Sequence, residues 1–534
     1  MELRGDPATL RLSQRATSPA DPERLPPARH IALFFCASKP ILTTLCTMSV
    51  LQGLEPSKFF YYFEEISNIP RCSYNEQQVS DYIANFAKKR GLDYFQDEIH
   101  NILVKKPSTP GYENAPALIF HGHTDIVCEK DEGAEHDFSK EGIKLTIDGD
   151  FIKAQGTTLG ADNTVGVALA LSVLDSDDIP HPPLEVILTV QEEVGKAGAQ
   201  HFDASRVSGK RLLDFNWHDP KSLFAGCAGD ISAWLYLPIR WDNAPQGVVP
   251  MSLRVKGLTS GHSEFDIHLE RANAIMLLAR CLNDILERKD VKVAGLTGGV
   301  NRYVIPGEAE ALVLVRPSDA DAVRAIVDQT SKDLKNEFKI SDPGLDVAFE
   351  TREERIPKAF SDETAKTAVR AISLLPNGVQ SMSLAIKGLV ESSNTVALLE
   401  TTDERIGILS TIPSAVSSRR YNILKRIQHL AALLGNRAEV TTFADCPEWP
   451  YNENSRMLQV CKKAYRDLFG EEPHVEVSHS SLELGLFHKK IPGLDMISIG
   501  PEAYDVHTTR ERLNYKTVDP VWKLLKEILK NLGS

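Results

Sequence analysis

From Met48 onward, short apolar runs alternate with segments whose apolar residues recur at helical spacing. This is the pattern of an α/β architecture, with helices packed on a sheet. PSKFFYYFEEISNIPR (56–71) predicts an opening helix. APALIF (115–120), LEVILTV (184–190) and KRLLDF (210–215) predict buried strands, and TVGVALALSVL (164–174) is apolar enough for a helix packed on their sheet. After residue 230 the texture changes. Strand-like GVVPMSLRVKGL (247–258), AEALVLVRP (309–317) and LDVAFETR (345–352) interleave with long amphipathic helices such as RANAIMLLARCLNDILER (271–288). That mixture predicts an α+β domain inserted into the first. The chain then returns to a helix at 455–469 and a strand at LDMISIG (494–500), with no low-complexity tract and no fixed-period repeat.

The start of the chain departs from this pattern. ATSPADPERLPPAR (16–29) has little periodicity and much Pro and Arg, so residues 1–47 are expected to be a disordered extension with Met48 as a plausible true start. The apolar HIALFFCAS that follows is broken by Lys39 and Pro40, whereas a signal peptide wants its apolar segment earlier and a small-residue cleavage site after it. The expected division is therefore an extension over 1–47, one domain in two pieces (48–230 and 437–534), and an inserted domain over 231–436.

Composition narrows the function classes. The 534 residues include 60 Lys or Arg against 73 Asp or Glu, a formal charge of −13, which argues against a general nucleic-acid binder. The apolar share of 42% is that of an ordinary globular protein, and no run of about eighteen apolar residues predicts a membrane span. The eight cysteines are scattered without a C-x-x-C pair, which fits a reducing compartment and a cytoplasmic location.

Metal-binding residue types concentrate at predicted strand ends. In FHGHTDIV (120–127), His121, His123 and Asp125 would share one face if the extended geometry persists, and a carboxylate near an imidazole can orient it and raise its basicity. In GTTLGADNTVGVALAL (156–171), Asp162 stands between a glycine-containing loop and a helix, as an N-cap or a ligand, and the glycines permit close approach of backbone to an ion. In LTVQEEVGKAGA (188–199), Glu192 and Glu193 point differently, so one can bind a cation while the other acts as a base. In IGPEAYDVHTTRERL (499–513), His507 precedes the final helix. Singly, each has an ordinary explanation as a hydrated side chain or a cap. Four such clusters in one α/β domain fit a two-metal hydrolase.

H-x-D, then G-A-D-N, then E-E-x-G, a late His and an inserted domain resemble the dizinc aminopeptidase-like and carboxypeptidase-like metallopeptidases. More narrowly, the chain resembles the aminoacyl-histidine dipeptidases (Xaa-His dipeptidases, peptidase D). Further matches are GLTSGHSEFDIHLERANA (257–274), LPNGVQSMS (375–383), GLVESSN (388–394), PEWPYN (447–452) and HSSLELGLF (479–487), in family order from about Met48 to the end. The resemblance implies a zinc-aminopeptidase-like catalytic domain with an inserted lid, two divalent ions (Zn, with Mn or Co as alternatives), a small peptide substrate and a homodimer. It implies that His123 binds one metal, Asp125 orients it, Asp162 bridges both, and Glu193 and His507 hold the other. Glu192 would be the general base, His262 of the lid would stabilise the oxyanion, in one chain or across a dimer interface, and Glu483 would help recognise substrate.

The departures from the pattern are local. Where the family supplies an Asp ligand upstream of its G-C-A-G, LLDFNWHDPKSLFAGCAG (212–229) places Asn216, a neutral group that compensates a cation less well, so the metal on His123 and Asp162 should be the weaker one. Asp214 and His218 are the substitutes within reach. Relatives' N-A-I-P is here Tyr303-Val-Ile-Pro, their H-A-G-L-E-C-G is HSSLELG, and their G-G-H-S-G is SGHSE (260–264). A Tyr303 ring in place of a pocket amide is expected to narrow or redirect specificity. Three functions stay open: a metallodipeptidase, an N-acyl-amino-acid deacylase on the same scaffold, and a degenerate relative that binds peptide or one metal without turnover.

Overall fold

The computed structural model describes residues 49–435 and 437–533; the expected extension over 1–47 and its boundary at Met48 lie outside the described residues. Three of the predicted apolar runs and the late one become parallel neighbours in a large mixed sheet. They are β1 (Leu118–His123), β2 (Leu184–Thr189), β3 (Arg211–Asp214) and, far along the chain, the strand Asp495–Ser498. Their order is β2, β1, β3, Asp495–Ser498, with Phe120 opposite Val186 on one side and Leu213 on the other, and Leu212 opposite Met496. Every residue of β1 and β2 is buried. A strand covered on both faces needs continuous rather than alternating apolarity, which is why these runs stood out. Helix α1 (Ser57–Ser67) packs its Phe59, Phe60, Phe63 and Ile66 into the same core as helix α2 (Ala161–Leu174).

The element the sequence pattern missed is the longest strand, β4 (Ser222–Pro238). It pairs with Arg405–Ser414 and with Glu439–Cys446, both antiparallel, and with His474–Ser481 in parallel. Its first half contributes Leu223 and Ala225 to the core around α1 and α2, while Ile231, Ala233, Leu235 and Leu237 belong to a second core. The expected boundary at residue 230 thus falls inside one continuous strand. That second core gathers the predicted segments of 247–352: strands Val249–Lys256, Ala309–Val315 and Asp346–Thr351, and helix Ala274–Leu286. This helix starts later than its apolar pattern because the Asn273 side chain caps it, accepting from the N–H of Ile275 at 3.0 Å. A small antiparallel sheet joins Leu145–Asp148 and Phe151–Ala154 to Arg512–Asn514 and Ala503–Tyr504, and the turn between the last two carries His507. Among the described residues no helix is long and apolar enough to cross a membrane.

The expectation of thiols throughout fails at one pair. Cys72 and Cys128 form a disulfide across 56 residues, because the loop after α1 runs beside the loop leaving β1, with the Ile126 N–H donating to the Arg71 carbonyl at 3.2 Å. Sequence spacing alone cannot reveal a contact made only by the packing of α1 beside β1. Replacing both cysteines by serine is expected to lower stability by about 2–4 kcal/mol, read as a lower denaturant midpoint. A reductant should lower the wild type by the same amount and leave the double variant unchanged.

Candidate active site

The site lies beyond the carboxyl ends of the parallel strands, where an open α/β sheet leaves a crevice. β1 ends on His123, β2 leads to Glu192 and Glu193, β3 leads to Asn216 and His218, and Asp495–Ser498 leads to His507. Extended geometry ends at His123, so Asp125 sits in the following turn. Buried Asp125 accepts from Ser73 Oγ (2.8 Å) and from the N–H groups of Glu192 (3.0 Å) and Glu193 (3.2 Å), and its Oδ1 is 3.5 Å from His123 Nδ1. Asp125 therefore fixes the imidazole through its main-chain carbonyl, 3.1 Å from His123 Nδ1, and the peptide carrying the glutamate pair through its carboxylate. Arg71, buried, braces this turn from below by donating to the carbonyls of Thr124 (3.1 Å) and Ile66 (3.2 Å).

Asp162 is not the N-cap that its place ahead of the apolar run 164–174 allowed. It makes no side-chain capping bond and has non-helical backbone angles. Its Oδ1 lies 2.9 Å from His123 Nε2, and its Oδ2 lies 3.5 Å from His507 Nε2 and 3.6 Å from His218 Nε2. The loop that presents it is shaped by a residue with no sequence signal. Buried Glu511 accepts the N–H groups of Leu159 (2.9 Å), Gly160 (2.8 Å) and Ala161 (2.8 Å), an acidic side chain gathering amides that have no other partner. Two glycines of this segment, one in the loop and one in the helix, leave no room for a side chain. Gly160 has φ +68°, and a Cβ there would stand 2.6 Å from Ile126, while one at Gly166 would stand 2.0 Å from Asn163 Oδ1.

Two groups of possible ligand atoms lie within 4.8 Å of one another: His123 with Glu192 and Glu193, and Asp162 with Glu193 and His507. His507 Nε2 is 3.1 Å from Glu193 Oε1, a buried oxygen with no hydrogen-bond donor. An orphaned oxygen, two imidazoles and three carboxylates converging in this way fit divalent cations of the zinc type. Burial alone would lower the pKa of His123, but Asp125 and Asp162 outweigh it and raise it well above the ordinary value. The same contest, decided by Asp162 and Glu193, raises His507 to about 11. Burial would raise Asp162, yet the three imidazoles hold it well below the usual range. Glu192 is pushed up to about 8, chiefly by burial. The pocket asks for positive charge.

Asn216 meets that demand poorly. Its Oδ1 accepts from Asn163 Nδ2 at 3.0 Å, and Asn163 is itself fixed by donating to the Phe215 carbonyl at 3.0 Å. The amide nitrogen of Asn216 is therefore the atom turned toward His123 Nε2, at 3.4 Å. Turning oxygen to a cation would set two N–H₂ groups against each other. Asp214 is no substitute, because its carboxylate serves His121 Nδ1 (2.7 Å), Ser498 Oγ and the Asn216 N–H (3.1 Å). His121 lies beneath the site with Glu483, 3.0 Å from its Nε2, and Glu483 also accepts from Thr189 Oγ1 at 2.9 Å.

His262 approaches from the second core. Its Nδ1 accepts the N–H groups of Glu264 (3.1 Å) and Phe265 (3.3 Å), so the neutral ring carries its proton on Nε2. Burial lowers its pKa, and His507 lowers it further, against Asp266. The Tyr303 ring stacks on His262 at 5.8 Å with 10° between planes, and the Arg302 guanidinium lies 4.1 Å from the Tyr303 centroid.

Comparison with known proteins agrees with this geometry. The family described as Peptidase family M20/M25/M40 matches residues 119–531. The chain is 34% identical to the cytosol non-specific dipeptidase of Escherichia coli (strain K12) over 485 residues, 91% of this chain and 99% of the relative. The crystal structure of aminoacylhistidine dipeptidase from Vibrio alginolyticus superposes with a TM-score of 0.81 at 32% identity, covering 90% of this chain and 98% of that one. Aminopeptidase PepT from Bacillus cereus ATCC 10987, at TM-score 0.53 and 14% identity over 90% of this chain and all of its own, shares the fold. The resemblance to the aminoacyl-histidine dipeptidases thus extends over the α/β fold as a whole, and the chain belongs to peptidase family M20/M25/M40, as a peptide-bond hydrolase of that metallopeptidase family.

Proposed function

We propose that the chain is a metallodipeptidase that hydrolyses small dipeptides, of aminoacyl-histidine type or of broad specificity, with Glu192 as general base. The observation that carries this is the convergence of Asp162, Glu193 and His507, with His123 and Glu192 alongside, at the ends of parallel strands. Asp162, Glu193 and His507 would hold one cation, and His123, Asp162 and Asn216 a second, weaker one. When bound, zinc ions, or manganese or cobalt in their place, would polarise the peptide carbonyl and lower the pKa of water.

The chain's own residues supply the rest. Asp125 orients His123 from behind through the turn it organises. Glu192, on the loop after β2 whose N–H groups Asp125 holds, takes a proton from the attacking water and passes it to the leaving amine. His262 offers its Nε2–H to the carbonyl oxygen as negative charge develops there. Residues 231–436 form the lid that carries His262 and Tyr303 over the cleft, and 48–230 with 437–534 form the catalytic body; the separate apolar cores support this division. Glu483 acts on substrate recognition through the strand end it buttresses. A homodimer through the lid follows from the resemblance, and the Escherichia coli relative supports a cytoplasmic location, where the Cys72–Cys128 pair would meet reductants.

Glu192→Gln is expected to lower kcat on a dipeptide such as Ala-His about 10²–10⁴-fold while metal content, measured by atomic emission, stays that of the wild type. Full activity in this variant would remove Glu192 from its role, and hydrolysis of N-acylated amino acids in preference to dipeptides would favour the deacylase. Asn216→Asp is expected to raise the metal retained after dialysis toward two equivalents per chain; no gain in metal or activity would clear Asn216 of the weakness assigned to it. Glu511→Ala, which strands three amides around Asp162, is expected to cost about 2–4 kcal/mol of stability and to lower metal retention together with it.

A further inference from the structure

A second charged cluster lies between His262 and Glu192, outside the metal centre. Glu264, two residues after His262, is only 3% exposed, and Asp230, in the middle of β4, is 1% exposed. Glu264 Oε1 is buried without a hydrogen-bond partner, and neither oxygen of Asp230 has a hydrogen-bond donor. Two cations border them. Arg302 stands 3.2 Å from Asp230, with its other branch donating to Ser232 Oγ at 2.6 Å, and half-buried Lys196 donates to Ser481 Oγ at 3.3 Å. Lys196 follows the base on the Glu192–Glu193 loop, and neither acid lies within ion-pair distance of its ammonium group among the contacts of the described residues. Three buried carboxylate oxygens, Oε1 of Glu264 and both of Asp230, are thus left without a hydrogen-bond donor. Burial and Asp230 together push the Glu264 carboxyl up to about 8, against Lys196 and Arg302, which marks the same deficit of positive charge.

Glycine stands at the position of Glu264 in the G-G-H-S-G pattern that this stretch resembles, so the charge is an addition to the pocket rather than part of the shared machinery. Burying a carboxylate with an unmade bond is costly, and a ligand that completes the bond recovers that cost. A substrate ammonium or guanidinium supplies several N–H donors and a charge at once. We propose that Glu264, supported by Asp230, is a specificity-determining residue that selects dipeptides bearing a cationic side chain. This rests on the dipeptidase function proposed for the same cleft.

The test is calorimetric binding to the full-length, metal-loaded Glu192→Gln protein, which leaves dipeptides intact. Ala-Lys is compared with Ala-norleucine, and Lys-Ala with norleucine-Ala, so both members of a pair share termini and differ in side-chain charge. The lysine member of one pair is expected to bind about tenfold more tightly. In the same protein carrying Glu264→Gln, that ratio should fall to about one while norleucine binding is unchanged. Equal binding within both pairs, or a lysine preference that survives Glu264→Gln, would overturn the proposal. If Glu264→Gln does not fold, Glu264→Gly, which restores the residue of the resembling pattern, carries the same comparison. Hydrolysis of Ala-Ala by the wild type is measured separately: its absence would count against the dipeptidase function, whereas the lysine ratio is read from binding alone.

Discussion

The interaction on which the molecule depends is the crowding of buried carboxylates around His123: Asp125 and Asp162 lie 3.5 and 2.9 Å from opposite nitrogens of its ring, and possible ligand atoms of Glu192, Glu193 and His123 lie within 4.8 Å of one another. Carboxylates so placed cannot all remain ionised without compensating charge. The imidazoles of His123, His218 and His507 lie against Asp162. Such an arrangement is stable only if positive charge, from protons or cations, occupies the middle. The surrounding scaffold pays for that tension: Glu511 gathers the amides of the Asp162 loop, Asp125 those of the glutamate pair, and Arg71 ties the turn after β1 to α1. These second contacts resist the collapse or dispersal that repulsion would otherwise drive.

What could be read from the sequence follows the range of each interaction. H-x-D, G-A-D-N and the glutamate pair were legible because each is short and abuts a continuous apolar strand, a pattern fixed by the buried parallel sheet. Glu511 was illegible because its partners lie about 350 residues earlier in the chain, and nothing local distinguishes it from the acidic surface residues that are common in this protein. The strand β4 was missed because it crosses between two cores, so its pattern of burial belongs to neither alone. Asp162 could be read as a cap or a ligand from its place before a helix; only the positions of three distant imidazoles decide between them.

Asn216 shows how a single atom's identity can escape sequence and still be settled by neighbours. An aspartate at that position would present an oxygen in either orientation. An asparagine must choose, and the choice is made by Asn163, whose own amide is pinned by the Phe215 carbonyl. The result aims a donor, the Asn216 amide nitrogen, at His123 Nε2, where an aspartate would present an oxygen.

Glu264 shares a loop with His262, whose ring orientation depends on the N–H of that same Glu264. A ligand that draws the Glu264 carboxylate toward itself therefore pulls on the backbone that fixes the His262 tautomer. Lys196 shares a loop with Glu192, and its ammonium group donates to Ser481 Oγ at 3.3 Å. With the roles proposed for His262 and Glu192, a side chain bound at Glu264 would be linked through these loops to the proton donor on one wall and to the base on the other. Selection at this cluster would act on the rate as well as on affinity, because binding energy gained at a remote group can be spent on the geometry of the reacting one.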